Sequence, residues 1–271
     1  MVHKNVWLFY TITTSKNLNP IFKNILANFL FIKKGKEAFM YFLEGNQSVG
    51  KSTFLNLLAK RLPHIEIELE PIENWQKKRH GQSLLANFFN NPKRWALTID
   101  TFTLMCRVRE HKIQQQNLNP NRVLERSIYS GYYGYAMCDY NCGYMTDMEW
   151  SLHNEWLACL TEKCKPPIGF IYLKVDPKLA HARSKKRNRE EEKNVPLEFF
   201  EQLGKQHDDF LIHKKNVAPN IQSVPVLVLD CNQEFESDEK VLQSHLQKVQ
   251  EFMIDTQINL KHKNKIKETI I

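Results

Sequence analysis

Eight consecutive residues form a glycine-rich motif with a Gly-Lys-Ser end: Gly45, Asn46, Gln47, Ser48, Val49, Gly50, Lys51 and Ser52. An apolar run precedes the motif, so a strand is predicted to lead into a loop that opens a helix. In such a loop, backbone N–H groups surround phosphate oxygens, the lysine reaches the β- and γ-phosphates, and the serine hydroxyl binds Mg²⁺. The motif therefore predicts binding of ATP, or of another nucleoside triphosphate, with Mg²⁺.

Charged residues follow two further predicted strands. Pro71 ends the second strand and leaves Glu70 at the carboxyl edge of the sheet, where ligands bind in open α/β folds. A carboxylate there can accept a proton from a hydroxyl nucleophile. Glu125 and Arg126 end the third strand. Glu125 is predicted to bind Mg²⁺ or its water, and Arg126 the acceptor or the transferred phosphoryl group.

Three arginines, Arg183, Arg187 and Arg189, lie along one helix end and the loop after it, as expected of a lid that closes on a triphosphate. Each charged group also has a simpler interpretation. A Glu-Pro pair often only ends a strand, a Glu-Arg pair is often a surface ion pair, and an Arg/Glu run is often a solvated helix face. Their order behind one intact phosphate loop favours the functional interpretation.

These residues need a sheet to bring them together, and the apolar pattern predicts one. Predicted strands cover residues 38–44, 64–69, 121–125, 168–175 and 224–230, and predicted helices lie near 51–61, 80–113, 130–163, 176–187, 196–214 and 238–255. The alternation predicts a three-layer α/β fold of the P-loop NTPase type, with a parallel five-stranded sheet, helices on both faces and an arginine-rich lid. Residues 1–37 are predicted to be a basic, disordered extension, 38–255 the folded domain with the phosphate loop, and 256–271 a basic tail.

The formal charge of +8 is concentrated at the two ends of the chain. Residues 1–36 contain lysines and no acid, and residues 252–271 have an excess of lysine, which leaves the central part near neutrality. A basic face for nucleic acid is therefore not expected on the folded domain.

The six cysteines form no C-x-x-C pair, which predicts reduced thiols in a reducing compartment and no zinc site.

The apolar run of residues 25–32 is too short to span a bilayer, so no membrane association is expected. A cytoplasmic protein is predicted. The mitochondrial matrix is the alternative, because the acid-free N-terminus resembles a transit segment in charge, although it lacks arginine.

Taken together, residues 38–255 resemble the deoxyribonucleoside kinase family, of the deoxycytidine, deoxyguanosine and mitochondrial thymidine kinase type. The resemblance rests on spaced motifs in the family's order: Gly45 to Ser52, Glu70-Pro71 with Trp75, Asn91 to Trp95, Glu125 to Ser127 with Tyr129-Ser130, Glu149-Trp150, Arg187 to Glu192 with Val195 to Glu198, and Val226 to Asp230.

The resemblance implies an enzyme that phosphorylates the 5′-hydroxyl of a deoxyribonucleoside, a small-molecule substrate, and that forms a homodimer. It implies that Glu70 is the base for this hydroxyl and that Arg126 lies beside it. Other implied roles are donor-phosphate binding by Arg183, Arg187 and Arg189, sugar 3′-hydroxyl binding by Glu192, donor-base contact by the backbone of Gln233, Glu234 and Phe235, and walls of the acceptor-base pocket from Trp75, Phe88 and Tyr135.

The acceptor pocket departs from the family pattern. Phe89 stands in place of a tyrosine, Asp100 in place of a base-reading glutamine, and Gly131 in place of an aspartate or alanine, while Arg107 matches a family arginine. An ionised aspartate offers only acceptors, whereas glutamine offers both a donor and an acceptor. We predict that Asp100 and Arg107, seven residues apart on one helix face, form a buried pair. Asp100 would then accept from an exocyclic amine, favouring cytosine or adenine over thymine. The alternative is a pocket that has drifted and supports only weak activity.

Two further classes of function stay open at this stage. One is a different P-loop small-molecule kinase, such as a nucleoside monophosphate kinase, which would need a second basic pocket for an acceptor phosphate. The other is a kinase fold retained as a structural subunit. The intact Lys51 and Glu70 favour an enzyme.

Overall fold

The computed structural model describes residues 39–269, with side chains described as far as residue 262. The predicted N-terminal extension of residues 1–37 and its apolar run lie outside the described residues. Among the helices that are described, none is both long enough and apolar enough to cross a membrane.

The centre of the fold is a sheet of five parallel strands in the order β2-β3-β1-β4-β5. The strands are β1 (Tyr41–Glu44), β2 (Glu66–Glu68), β3 (Arg122–Glu125), β4 (Gly169–Lys174) and β5 (Val226–Asp230). Each lies inside a segment predicted from the sequence. The predicted parallel sheet and α/β class are confirmed.

Helices connect the strands and cover both faces of the sheet. They are α1 (Lys51–Arg61), α2 (Glu73–Gln76), α3 (Leu84–Asn90), α4 (Pro92–Gln114), a π-helix (Ser130–Ala136) that continues into α5 (Met137–Asn141), α6 (Asp147–Thr161), α7 (Pro177–Arg187), a 3₁₀ turn (Glu190–Glu192), α8 (Leu197–Leu211), α9 (Pro219–Gln222) and α10 (Glu239–Thr269).

The central strand β1 is buried on both faces, which explains why its sequence is apolar throughout rather than alternating. Tyr41 and Leu43 pack with side chains of α1 and α10, whereas Phe42 packs on the opposite face with the π-helix and α8. The phosphate loop therefore follows a strand that is packed on both faces.

Two predicted long helices are each broken in the structure. The helix predicted over 80–113 is α3 and α4, because Pro92 has no N–H for a helix interior and Asn91 instead caps α4, accepting from the Arg94 backbone N–H. The helix predicted over 130–163 is broken before α6, where Thr146 and Glu149 form a capping box. The last helix continues past residue 255 to Thr269.

Candidate active site

The loop between β1 and α1 has the backbone that phosphate binding requires. Gly50 precedes α1 with φ of 92°, a conformation that residues with a Cβ rarely adopt. At Gly45, an added Cβ would lie 2.7 Å from the Leu173 carbonyl oxygen, so no larger residue fits. The two glycines thus let the loop close tightly over the N-terminus of α1, where backbone N–H groups can bind an anion.

Lys51, the first residue of α1, lies buried inside this loop. Its ammonium group donates to the carbonyl oxygen of Asn46 at 2.8 Å and that of Gly45 at 3.4 Å. Burial and, to a lesser extent, the charge of Arg126 lower the pKa of Lys51 to about 7, against the opposing effect of Glu125 and Glu70. No carboxylate forms an ion pair with Lys51 among the described residues, so its charge is available to an incoming phosphate.

Ser52 and Glu125, the two residues predicted to hold Mg²⁺, lie together beside the loop. The Ser52 hydroxyl lies 3.1 and 3.0 Å from the two carboxylate oxygens of Glu125. In the part of the chain that the structure describes, no group of three or more His, Cys, Asp or Glu side chains could hold a metal alone. A hydroxyl and a single carboxylate suit Mg²⁺, which usually keeps waters and binds substrate phosphates as its other ligands.

Glu70 lies between two arginines. Its Oε1 accepts from Arg107 Nη2 at 2.6 Å, and its Oε2 lies 3.1 Å from Arg126 Nε. Burial alone would raise the pKa of Glu70, but the charges of Arg107 and Arg126 outweigh burial and hold it below its ordinary value. The carboxylate is therefore ionised and fixed in orientation at the carboxyl edge of the sheet.

Arg126 has a backbone φ of 62°, unusual for a residue other than glycine. Its N–H donates to the Leu43 carbonyl at 2.9 Å, and its Nη1 donates to the Gly45 carbonyl at 3.1 Å. Strained residues of this kind cost about 1–3 kcal/mol and cluster at functional sites. Here the conformation connects the phosphate loop to Glu70 through one side chain.

A cavity of about 540 Å³ opens beside Glu70 and the phosphate loop, a size typical of small-molecule sites. Most of the predicted acceptor residues line it, namely Glu70, Trp75, Phe88, Phe89, Asp100, Arg107, Arg126, Tyr135 and Glu192. Lys51, Ser52, Glu125, Arg187 and Arg189 line it as well. The residues predicted from separate parts of the sequence thus meet at one place.

Tyr135 and Trp75 form aromatic walls around the arginines. The Arg126 guanidinium lies 4.8 Å from the centre of the Tyr135 ring, and that of Arg107 lies 5.7 Å from the Trp75 ring. Phe88 and Phe89 pack against each other with ring centres 5.1 Å apart. Flat walls of this kind can hold a planar base between them.

The predicted ion pair between Asp100 and Arg107 does not form. Arg107 instead reaches Glu70, and it influences Asp100 only through a longer-range attraction. Gly131 makes this possible, because a Cβ there would lie 2.5 Å from Arg107 Nη1. Gly131 does not line the cavity; it lies behind Arg107 and gives it room.

The partner of Asp100 is Asp139, a residue that sequence reasoning missed. Both carboxyls are buried, both line the cavity, and a hydrogen bond joins them. Asp139 stands four residues after Tyr135 and so falls on roughly the same helix side. That spacing was the available signal, but nothing in the sequence alone indicates that α4 and α5 approach each other here.

Of the three arginines predicted to form a lid, two cluster around Glu192. Its carboxylate accepts from Arg187 Nη2 and, at 3.3 Å, from Arg189 Nη1. The Glu192 side chain is buried, while each arginine remains about one-third exposed. The two arginines and the carboxylate are therefore linked to one another where they line the cavity.

Arg183 and residues 233–235, predicted to contact the donor, do not line the cavity and lie beside the phosphate loop at Gly50. Arg183 donates to the Cys231 carbonyl at 3.1 Å and lies 3.9 Å from a carboxylate oxygen of Glu234. The buried ring of Phe235 lies against Gly50, with its Cζ 2.9 Å from where a Cβ would stand. With the Phe235 side chain in the core, only backbone and the neighbouring Gln233 and Glu234 can face a ligand there.

The site combines three features: a glycine loop after a central strand, a buried lysine, and a carboxylate at the mouth of a small-molecule cavity. Together they define a P-loop kinase that acts on a small acceptor. The family comparison gives the same class. The model of the family "Deoxynucleoside kinase" matches residues 42–254, and the chain belongs to this family. It is therefore a phosphotransferase, as the sequence motifs predicted.

Curated relatives agree with the family. The mitochondrial deoxyguanosine kinase of Xenopus laevis is 32% identical over 249 residues, which cover 83% of this chain and 92% of that protein. The deoxycytidine kinase of Homo sapiens is 30% identical over 238 residues, covering 78% and 89%. Deoxycytidine kinase 2 of Gallus gallus is 31% identical over 229 residues, covering 75% and 86%.

Proposed function

We propose that this protein transfers the γ-phosphoryl group of ATP, with Mg²⁺, to the 5′-hydroxyl of a deoxyribonucleoside. The observation that carries the proposal is the position of Glu70 at the meeting point of the phosphate loop and an aromatic-walled cavity. A phosphoryl donor on one side and a nucleoside on the other would both reach this carboxylate. Such a transfer needs positioning and charge stabilisation more than covalent chemistry from the protein.

The donor side would be formed by the phosphate loop, Lys51 and the lid arginines. Lys51 would bind the β- and γ-phosphates, and Arg187 and Arg189 would approach from the lid to spread the negative charge of the transferred group. Arg183 and the backbone of residues 233–235 would contact the donor outside the loop. Ser52 and Glu125 would hold Mg²⁺, which neutralises phosphate charge.

The acceptor side would place the nucleoside 5′-hydroxyl at Glu70. Because two arginines keep Glu70 ionised and fixed, it can accept the proton as the hydroxyl oxygen attacks phosphorus. Trp75, Phe88 and Tyr135 would enclose the base. Phe89 has no hydroxyl, so Glu192 is left as the sugar 3′-hydroxyl partner.

The direct test is phosphorylation of each natural deoxynucleoside by purified protein with Mg·ATP. We expect a 5′-monophosphate from at least one of them and no product when ATP is omitted. Nucleoside monophosphates are assayed in parallel as acceptors. Product from these alone would favour the monophosphate kinase alternative, and ATP binding without any product would favour a structural subunit.

The close contact between Gly131 and Arg107 leads to a prediction about Glu70, the proposed proton acceptor. Gly131→Ala should push Arg107 away from Glu70 and lower kcat/KM by about tenfold to a hundredfold, since a buried hydrogen bond to a charged group contributes about 1.5–3 kcal/mol. Steady-state kinetics measures the loss. The control is Gly131→Ala in an Arg107→Ala background, where the second substitution should lower kcat/KM only slightly further. Equal losses in both backgrounds would show that Gly131 acts by another route.

Further predictions from the sequence remain proposals. We expect a homodimer packed through helices, and exposed apolar side chains on α4 and α6, Met105, Met148 and Trp156, offer such a face. Light scattering of the purified protein measures its mass.

A cytoplasmic location is proposed, with the mitochondrial matrix as the alternative, and we expect no nucleic-acid or membrane partner. The three-part division at residues 37 and 255 is likewise proposed.

A further inference from the structure

Two buried carboxyl groups meet on the wall of the acceptor cavity. Asp100 lies on α4 and is 6% exposed, and Asp139 lies on α5 and is 3% exposed. The hydrogen bond between them requires at least one proton, since two ionised carboxylates repel strongly in a buried site.

The surroundings of the pair determine which carboxyl holds the first proton. Burial and the charge of Asp100 raise the pKa of Asp139 well above its ordinary value, so Asp139 is protonated and donates to Asp100. Burial raises the pKa of Asp100 to about 7, against the lowering effects of the Asp139 hydrogen bond and of Arg107. The other titratable groups facing the pair are the thiols of Cys138 and Cys142 and the Tyr144 hydroxyl.

The pair lies away from the transfer site along the same cavity. Arg107 contacts Glu70, and Asp100 stands seven residues earlier on the same helix, about 10 Å along its axis. That separation suits a nucleoside whose 5′-hydroxyl lies at Glu70. The base edge would then face Asp100 and Asp139, an inference that rests on the proposed function.

We propose that Asp100 and Asp139 together read the edge of the base, and that the number of protons they share determines which bases fit. With one proton, held by Asp139, the Asp100 carboxylate offers only acceptors, which match the two adjacent N–H donors of guanine at N1 and N2. With a second proton, Asp100 offers a hydroxyl donor beside an acceptor. That arrangement matches the ring nitrogen and amine of cytosine or adenine.

The consequence is a base preference that changes with pH. Because burial raises the pKa of Asp100 toward neutrality, its carboxyl takes up a proton as the pH falls through the neutral range. The kcat/KM values for deoxycytidine and deoxyadenosine should therefore rise relative to that for deoxyguanosine as pH falls. A mispaired polar group at a buried edge changes the ratio of kcat/KM values by about tenfold to a hundredfold.

The test is the ratio of kcat/KM for deoxycytidine to that for deoxyguanosine, measured between about pH 6 and pH 8, where the free bases do not titrate. Taking the ratio at each pH cancels groups that act equally on both substrates. The wild-type ratio should rise as pH falls. In Asp100→Asn, which always offers a donor and an acceptor, the ratio should stay at the low-pH level. A flat wild-type ratio, or an unchanged dependence in Asp100→Asn, would overturn the proposal.

Asp139 is tested by two variants of similar size. Asp139→Asn keeps a donor to Asp100, so the midpoint of the pH dependence should stay near the wild-type value. Asp139→Leu removes the donor, so the Asp100 carboxyl should keep its proton to higher pH and the midpoint should move upward. Equal midpoints in the two variants would show that Asp139 contributes only shape, and would contradict its assigned role.

A binding measurement separates this proposal from the proposed function. Calorimetry in two buffers of different ionisation enthalpy, just above pH 7, should detect proton uptake when deoxycytidine binds and proton release when deoxyguanosine binds. Proton exchange without turnover would support the base-reading pair while contradicting the kinase activity. Turnover without any difference in proton exchange would contradict the pair alone.

Discussion

Lys51→Ala should lower kcat by about 10²- to 10³-fold, the loss typical of removing one charge-stabilising donor from a transfer site. The ammonium group lies inside the phosphate loop, where it donates to the carbonyls of Gly45 and Asn46, and this position would place its charge against the β- and γ-phosphates. Steady-state kinetics with Mg·ATP and the best nucleoside measures the effect.

The fold should survive this change, because Lys51 is a buried cation that forms no ion pair with an acid among the described side chains. Thermal unfolding checks this point. Lys60→Ala is the matched control, because Lys60 is an exposed lysine in the last turn of the same helix. This substitution should change neither kcat nor the temperature of thermal unfolding. Near wild-type turnover in Lys51→Ala would contradict the assignment of the phosphate loop.

Glu70→Gln should lower kcat by about 10²-fold or more while nucleoside binding persists, because the amide keeps the shape of the side chain but cannot accept the proton. Single-turnover kinetics separates the transfer step from binding. Glu73→Gln is a matched control, since Glu73 is an exposed carboxylate on the rim of the same cavity.

The same change leaves Arg126 facing an amide where it now faces a carboxylate, so some loss of stability is expected. That loss appears in thermal unfolding and does not account for a selective fall in kcat. If Glu70→Gln raised only KM, Glu70 would be a binding residue and the proton acceptor would lie elsewhere.

Much of this molecule follows from local sequence. The central strands are predicted because a strand covered on both faces needs a short, continuously apolar run such as that before Gly45. The edge strand β2 is predicted instead from the alternation of Ile65, Ile67 and Leu69. The phosphate loop is predicted because its glycines and lysine act within eight residues of one another. Glu70 and Glu125 are predicted at one edge because parallel strands all end on the same side of the sheet.

Helix boundaries were less accurately predicted, although their signals are also local. Pro92 and the Thr146 capping box both mark helix starts, yet the apolar pattern alone runs through them. Apolar periodicity reports which face is buried and not where hydrogen bonding along the backbone is interrupted.

The partners of buried charges were decided only by the tertiary structure. The sequence places Asp100 and Arg107 on one helix face, but seven residues separate them by about two turns, too far for direct contact. Packing of α4 against the π-helix places Arg107 in the space left by Gly131, where it reaches Glu70, and α5, which continues the π-helix, brings Asp139 to Asp100. Local sequence determines which groups carry charge, whereas a buried charge pairs with whatever the fold brings within a few ångströms, because desolvation makes an unpaired one costly.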